Sequence, residues 1–191
     1  MGVRGPVVTW AQDMAELRDR VARLTPWVPG LHDALEAPLS RLEALAAEFP
    51  PQAPVPSHRS FRPTQILVHA GRVAFIDFDG FCEAEPAMDL ARFRATAKNI
   101  GIRVGVDEAE QERSPAWLLA RAAEVDRLCD LFLSEYERVA SVSRVRVALW
   151  ETVYLLMHTL NSRLKVKPET LAGNILCLER HLRQSTLPLL G

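Results

Sequence analysis

Residues 65 to 76 carry the one strand-like stretch of the sequence, and the rest of the chain has to fold around it. Gln65-Ile66-Leu67-Val68 and Arg72-Val73-Ala74-Phe75-Ile76 flank His69-Ala70-Gly71, a spacing that gives a short antiparallel hairpin. Two strands cannot bury a core of their own. The remaining apolar residues recur at helical spacing, so the expected fold is mainly α, with one short hairpin held among helices.

Trp10, Met14, Leu17, Val21 and Leu24 define a first helix that Pro26 and Pro29 stop. Leu31, Leu35, Leu39, Leu42 and Leu45 define a second, in which Pro38 is expected to kink or restart the chain. Pro50, Pro51, Pro54 and Pro56 make an extended connection that stays within one domain, because the apolar sequence on each side needs the other for burial. After the hairpin, Pro86 opens a helix to about Lys98, followed by a polar loop from Gly101 to Arg113. Ser114-Pro115 caps a helix to about Val139 that turns Leu118, Ala122, Val125, Leu128, Leu131, Phe132 and Tyr136 toward the core. Ser143 starts a helix through Leu164, apolar on most faces and therefore central, and Pro168 to about Leu187 is the last. The chain reads as one unit over 1–191: helical scaffold at 1–49, hairpin and polar loops at 50–90, helices at 91–191.

With 23 basic and 24 acidic side chains and a net charge of −1, no field draws the chain to nucleic acid or an anionic membrane. The longest apolar run, Val147 to Leu160, is short and contains Glu151 and His158, so no membrane span is expected. Met-Gly-Val-Arg-Gly-Pro leads into amphipathic sequence rather than a signal core, and Cys82, Cys129 and Cys177 make neither a disulfide framework nor a metal knuckle. A cytoplasmic location with reduced thiols is the expectation. His158, His181 and the four tryptophans read as packing residues, and Arg144 and Arg146 as a solvated helix face.

An antiparallel hairpin returns the chain to its start, so Gln65 at its entry and Asp77 at its exit face one small volume. A carboxylate and an amide oxygen are hard ligands suited to Mg²⁺ that keeps mostly water and phosphate oxygens. The commoner role of Asp77-Phe78-Asp79 after a strand is a capped turn.

The order His58…Phe61-x-Pro63-x-Gln65-Ile66-Leu67, Ile76-Asp77-Phe78-Asp79, Glu85-Pro86-Ala87-x-Asp89-Leu90 resembles the catalytic half of the aminoglycoside/choline-kinase-like phosphotransferases. The close match runs from His58 to Leu90, and the flanking helices resemble the C-terminal lobe of that protein-kinase-like fold in order and length. The resemblance implies Mg²⁺ with ATP or GTP, a small-molecule hydroxyl as acceptor, Gln65 and Asp77 as metal ligands, and Arg59 or Arg62 on phosphate. It also implies supporting roles for His58 and Asp89. The family pattern His-Gly-Asp places its catalytic aspartate where this chain has Ser60, and its glycine where this chain has Arg59. A serine hydroxyl is no useful base near neutral pH, which leaves the role vacant or to Asp79. Ala84-Glu85-Pro86 stands for Gly-Asp-Pro, with Glu85 expected to cap the next helix.

A kinase-like enzyme also uses an N-terminal β-lobe with a glycine-rich loop and a phosphate-clamping lysine. No such loop occurs, and no lysine precedes Lys98. The chain therefore looks like a C-lobe without its N-lobe, and weak nucleotide binding is expected. It reads as a phosphotransferase domain that is inactive or impaired alone, as a non-catalytic module that needs a partner lobe or chain, or as a fragment with no independent function. In the last case the uncovered surface near the hairpin should be an apolar patch.

Overall fold

A computed structural model describes residues 5–103, 115–165 and 168–185. Helix α1 (Trp10–Leu24) starts where the Thr9 amide donates to Gln12 Oε1 at 2.8 Å, and it buries Met14, Leu17, Val21 and Leu24. Helix α2 (Leu31–Glu48) buries Leu39, Leu42 and Leu45 and runs unbroken through Pro38. The expected break is absent because Ala34, whose carbonyl loses its partner, and Pro38 both lie on the exposed face, where water can bond that oxygen.

The proline-rich connection is ordered and ends in β1 (Val55–Ser57), which pairs antiparallel with β4 (Cys82–Ala84) in the register Val55↔Ala84, Ser57↔Cys82. The hairpin is thus joined by a second two-stranded ladder that the sequence pattern does not announce. Three-residue strands, one of them containing Pro56, are too short to alternate visibly. On the other edge of β4, Glu83 receives the segment before α1: Val8 N donates to Glu83 O at 2.8 Å and Glu83 N to Pro6 O at 2.9 Å. The hairpin itself is β2 (Ile66–His69) and β3 (Arg72–Phe75), in the register Ile66↔Phe75 to His69↔Arg72. Ala70 and Gly71 turn it with φ of 46° and 72°, the left-handed pair that matches strand twist.

Helix α3 (Pro86–Arg103) continues past Lys98, through the glycine expected to begin a loop. Gly101 is a packing position: a Cβ there would lie 2.5 Å from Val125 Cγ2, so its hydrogen lets α3 lie against α4 (Pro115–Glu137). The expected Ser114 cap and the 104–113 loop fall outside the described residues. Helix α4 buries Ala122, Val125, Cys129 and Leu133, while Leu128 and Leu131 are half exposed, against expectation. Ala122 and Val125 are buried and Leu118, Phe132 and Tyr136 pack against the core as expected, so the departure is confined to those two leucines.

Helix α5 (Arg144–Leu164) is capped by Ser143, whose Oγ accepts from Arg146 N, and it packs against α1, α3 and α6 (Pro168–Gln184). It is the central helix, with Leu149, Trp150 and Val153 fully buried. Arg146 is not solvated: only 1% of it is exposed, and its guanidinium grips the Glu85 carboxylate while bonding the Ala46 and Phe49 carbonyls. Glu85 also accepts from Trp150 Nε1, so its side chain pins the start of α3 onto α5 rather than capping it. A second charged seam joins α3 to α5, with Glu151 receiving Arg94 Nε at 2.7 Å and Lys98 Nζ at 2.6 Å. Among the described residues no helix is long and apolar enough to cross a membrane.

Candidate active site at the hairpin base

The loop before the hairpin is fixed by His58, which is nearly buried. Its backbone N–H donates to Asp89 Oδ2 at 2.6 Å, and its ring Nε2 meets Ile76 O at 2.9 Å. A carbonyl only accepts, so Nε2 carries a proton toward it, while Nδ1 is buried without a hydrogen-bond partner. Phe78 stacks on the same ring at 4.6 Å. His58 therefore ties the 58–60 loop to the 76–80 loop, and Asp89 ties both to α3. Burial pushes the Asp89 carboxyl above its usual range, and the His58 amide opposes that shift.

The next two residues take the places where the resembled motif has glycine and aspartate. Arg59 has φ of 62°, a left-handed conformation that glycine adopts freely and arginine only under constraint. The backbone geometry asks for glycine even though the side chain is not one. Ser60 N donates to His58 O at 2.7 Å, closing a tight turn. Its side chain lies against Gly80, where an added Cβ would sit 3.3 Å from both Ser60 Oγ and His58 O. Gly80 is what lets the two motif loops approach.

Gln65 closes a single 3₁₀ turn, Pro63–Gln65, and is almost wholly buried. Its Nε2 donates to Asp77 Oδ2, and Ile76 N donates to Gln65 O at 3.1 Å, so hairpin entry and exit meet as expected. Asp77 has φ of 68° and ψ of 54°, a strained backbone that projects its carboxylate beside Gln65. Arg62 reaches the same Oδ2 at 3.6 Å. Asp79 stands exposed in the following 3₁₀ turn, Phe78–Gly80, and Arg59 is exposed on the neighbouring loop.

The donor set fits a magnesium ion of the kind that keeps most of its water. Gln65 Oε1 is buried with no hydrogen-bond partner, and half a turn of the amide would set it beside Asp77 Oδ2. Two oxygens brought together in that way are reconciled by a cation. Among the described residues no cluster of three or more His, Cys, Asp or Glu could hold a metal, so the protein would supply few of the ligands.

Sequence reasoning missed the ring ladder behind these loops. Phe61 stacks on Phe93 at 5.1 Å, Phe93 meets Phe132 at 4.3 Å, and Phe75 meets Phe61 edge-on at 5.8 Å. The four phenylalanines, on a loop, a strand and two helices, share no period, so no local pattern announces them. Also unforeseen is buried Asp13 on α1, which accepts from Tyr154 Oη at 2.9 Å.

A search of curated protein sequences finds no match. Among solved structures, glucosamine kinase in one crystal form superposes with a TM-score of 0.68 at 20% identity, over 95% of this chain and 48% of that one. The same enzyme in complex with glucosamine, ADP and inorganic phosphate gives 0.61 at 19% identity, over 91% of this chain and 47% of that one. The shared feature at these identities is the kinase-like fold, and the chain spans about half the length of those kinases. The family model described as "Phosphotransferase enzyme family" matches residues 5–125, well over half the chain and all of the loops described above. The chain belongs to that phosphotransferase family.

Proposed function

We propose that residues 1–191 act as one kinase-like C-lobe that positions a magnesium–nucleoside triphosphate and an acceptor alcohol for phosphoryl transfer, and that it is impaired when alone. The observation that carries this reading is the meeting of Gln65 and Asp77 at the hairpin base, held by the His58–Asp89 strut. Asp77 and Gln65 would hold Mg²⁺, whose contribution is to neutralise charge on the phosphates. Arg62, already beside Asp77, and Arg59 are placed to contact phosphate oxygens. In the transfer the acceptor oxygen forms a bond to the γ-phosphorus of ATP or GTP as the bond to the diphosphate breaks. The acceptor proton passes to Asp79 or to water, since Ser60 offers only a hydroxyl at the base position. Positioning and charge stabilisation carry most of the catalysis in this class, so a missing base slows the reaction without forbidding it.

Impairment is supported by Lys98, the first lysine of the sequence, which is spent on Glu151 and on Asp126 at 3.2 Å. The hairpin adds to this: Leu67, Val68, Val73 and Phe75 are all about half exposed or more. Such an apolar patch suits cover by a β-rich lobe, in the same polypeptide or a partner. The three cysteines are buried and free, which agrees with work in the reducing cytoplasm. A second reading, a non-catalytic module that pairs with another chain, is favoured by Ser60 itself.

Nucleotide turnover by the wild type and by Ser60→Asp, each with and without a supplied β-lobe, separates the two. Turnover only with the lobe, raised by Ser60→Asp and abolished by Asp77→Ala, is expected for an impaired enzyme. No turnover in any arm favours the module. Substantial turnover by the unmodified chain alone, abolished by Asp77→Ala, would show that it is not impaired.

A further inference from the structure

Between the 58–61 loop, the hairpin base, the 78–81 turn and α4 lies a groove of about 470 Å³, walled by His58, Phe61, Phe75, Phe78, Phe132 and Tyr136. Its size falls in the range of about 300–1,000 Å³ common for small-molecule sites. The wall is braced from behind, because Phe93 stacks on Phe61 and meets Phe132, so it does not depend on a ligand to form. Two of its wall residues are chain neighbours of the candidate site, Phe61 following Ser60 and Phe78 following Asp77, although neither Ser60 nor Asp77 lines the groove itself. Asp89 is the one carboxylate on its lining among the described residues, and its Oδ2 is spent on the His58 amide. Its Oδ1 is buried without a partner, and one carboxylate is too few to match the several charges of a polycation.

We propose that this groove holds the acceptor, and that the acceptor is an uncharged alcohol with an aromatic or other apolar ring body, its rings against the phenylalanines and its hydroxyl toward the Ser60 loop. The proposal rests on the phosphotransfer reading for the word acceptor, but not for the binding. The competing occupant of a ring-lined pocket is a quaternary ammonium ion, attracted to the ring faces.

The test is isothermal calorimetry on the full 191-residue chain without nucleotide, using naphthylmethanol, choline and glucosamine as probes. Naphthylmethanol should bind with a Kd below about 1 mM, and choline and glucosamine at least about tenfold more weakly. Phe78→Ala, at a half-exposed wall residue, should weaken naphthylmethanol at least about tenfold, with circular dichroism verifying the fold. If that variant does not fold, Tyr136→Ala reads the same loss. Val68→Ser, on the exposed hairpin, should leave the affinity unchanged. Choline binding as tightly as naphthylmethanol overturns the proposal, as does no naphthylmethanol binding, or binding lost in Val68→Ser but kept in Phe78→Ala. Naphthylmethanol that is bound as expected but never phosphorylated once a β-lobe is supplied refutes the phosphotransfer reading and leaves the groove's chemistry standing.

Discussion

The hairpin and the α3–α5 seam are built by opposite means. Every hairpin residue from Leu67 to Phe75 is exposed, and its shape comes from a left-handed turn at Ala70-Gly71 and from cross-strand pairs. At the seam Arg94, Lys98 and Glu151 are withdrawn from water, and their charges are tolerable only because they meet. The hairpin carries Gln65 and Asp77 at its base, the first buried and the second exposed. The seam carries no motif residue. It fixes the helix from which Asp89 holds His58, so precision in the loops is borrowed from charges buried well away from them.

The comparison breaks first if the seam proves soft. Glu151→Ala removes the carboxylate that Lys98 and Arg94 share and leaves them only Asp126 and Asp130, which should cost about 3 kcal/mol. Urea unfolding measures it, and a loss under about 1 kcal/mol would rank the seam with surface ion pairs.

Acid should act on the buried side in the same way. Burial, with Arg92 and Arg20 nearby, pushes the His158 imidazolium pKa down to about 4 from an ordinary 6.5. The unfolded chain therefore takes this proton first as pH falls. Stability is intact above pH 6.5 and drains toward pH 4, by about 3 kcal/mol in all. Glu151 acts lower: Lys98, His181 and Arg94 overcome its burial and hold it at about 2, so its contribution persists above pH 4.5 and is lost only as pH falls toward 2. Unfolding followed against pH should show the first decline, and His158→Phe should flatten it between 6.5 and 4.

On the exposed side the effects shrink. Gly71→Ala meets no steric neighbour, but it places a side chain at φ of 72°, and it should cost about 1 kcal/mol. Val68→Ser should change stability by less than about 0.5 kcal/mol while reducing self-association in light scattering. A large loss of stability from Val68→Ser would mean that the hairpin bears on the core after all.

The same contrast governs what the sequence reveals. The hairpin, its turn and the convergence of Gln65 with Asp77 are legible because their causes are local: alternation, a turn glycine, and an antiparallel return. The helices are legible from their stripes, with errors where a partner element decides the outcome. Arg144 and Arg146 look alike in sequence. One stays at the surface against Glu137, and the other is buried because Glu85, far away in the chain, waits for it. Gly101 looks like a stop and is a contact surface for Val125. At the site, the roles of His58 and Asp89 came from the family resemblance rather than from spacing. The Ser60–Gly80 approach and the left-handed Arg59 depend on tertiary geometry and leave no local trace.

The bridge from Pro6 and Val8 to Glu83 has a mechanical consequence. Both of its hydrogen bonds run to one residue of β4, and β4 is laddered on its other edge to β1, the strand that leads directly into His58. Tension applied at residue 5 would thus load the bridge in shear and pass across β4 into the His58 loop by a route that bypasses the helices. A pull or twist delivered there would act on the loops at the hairpin base as a lever acts on a latch.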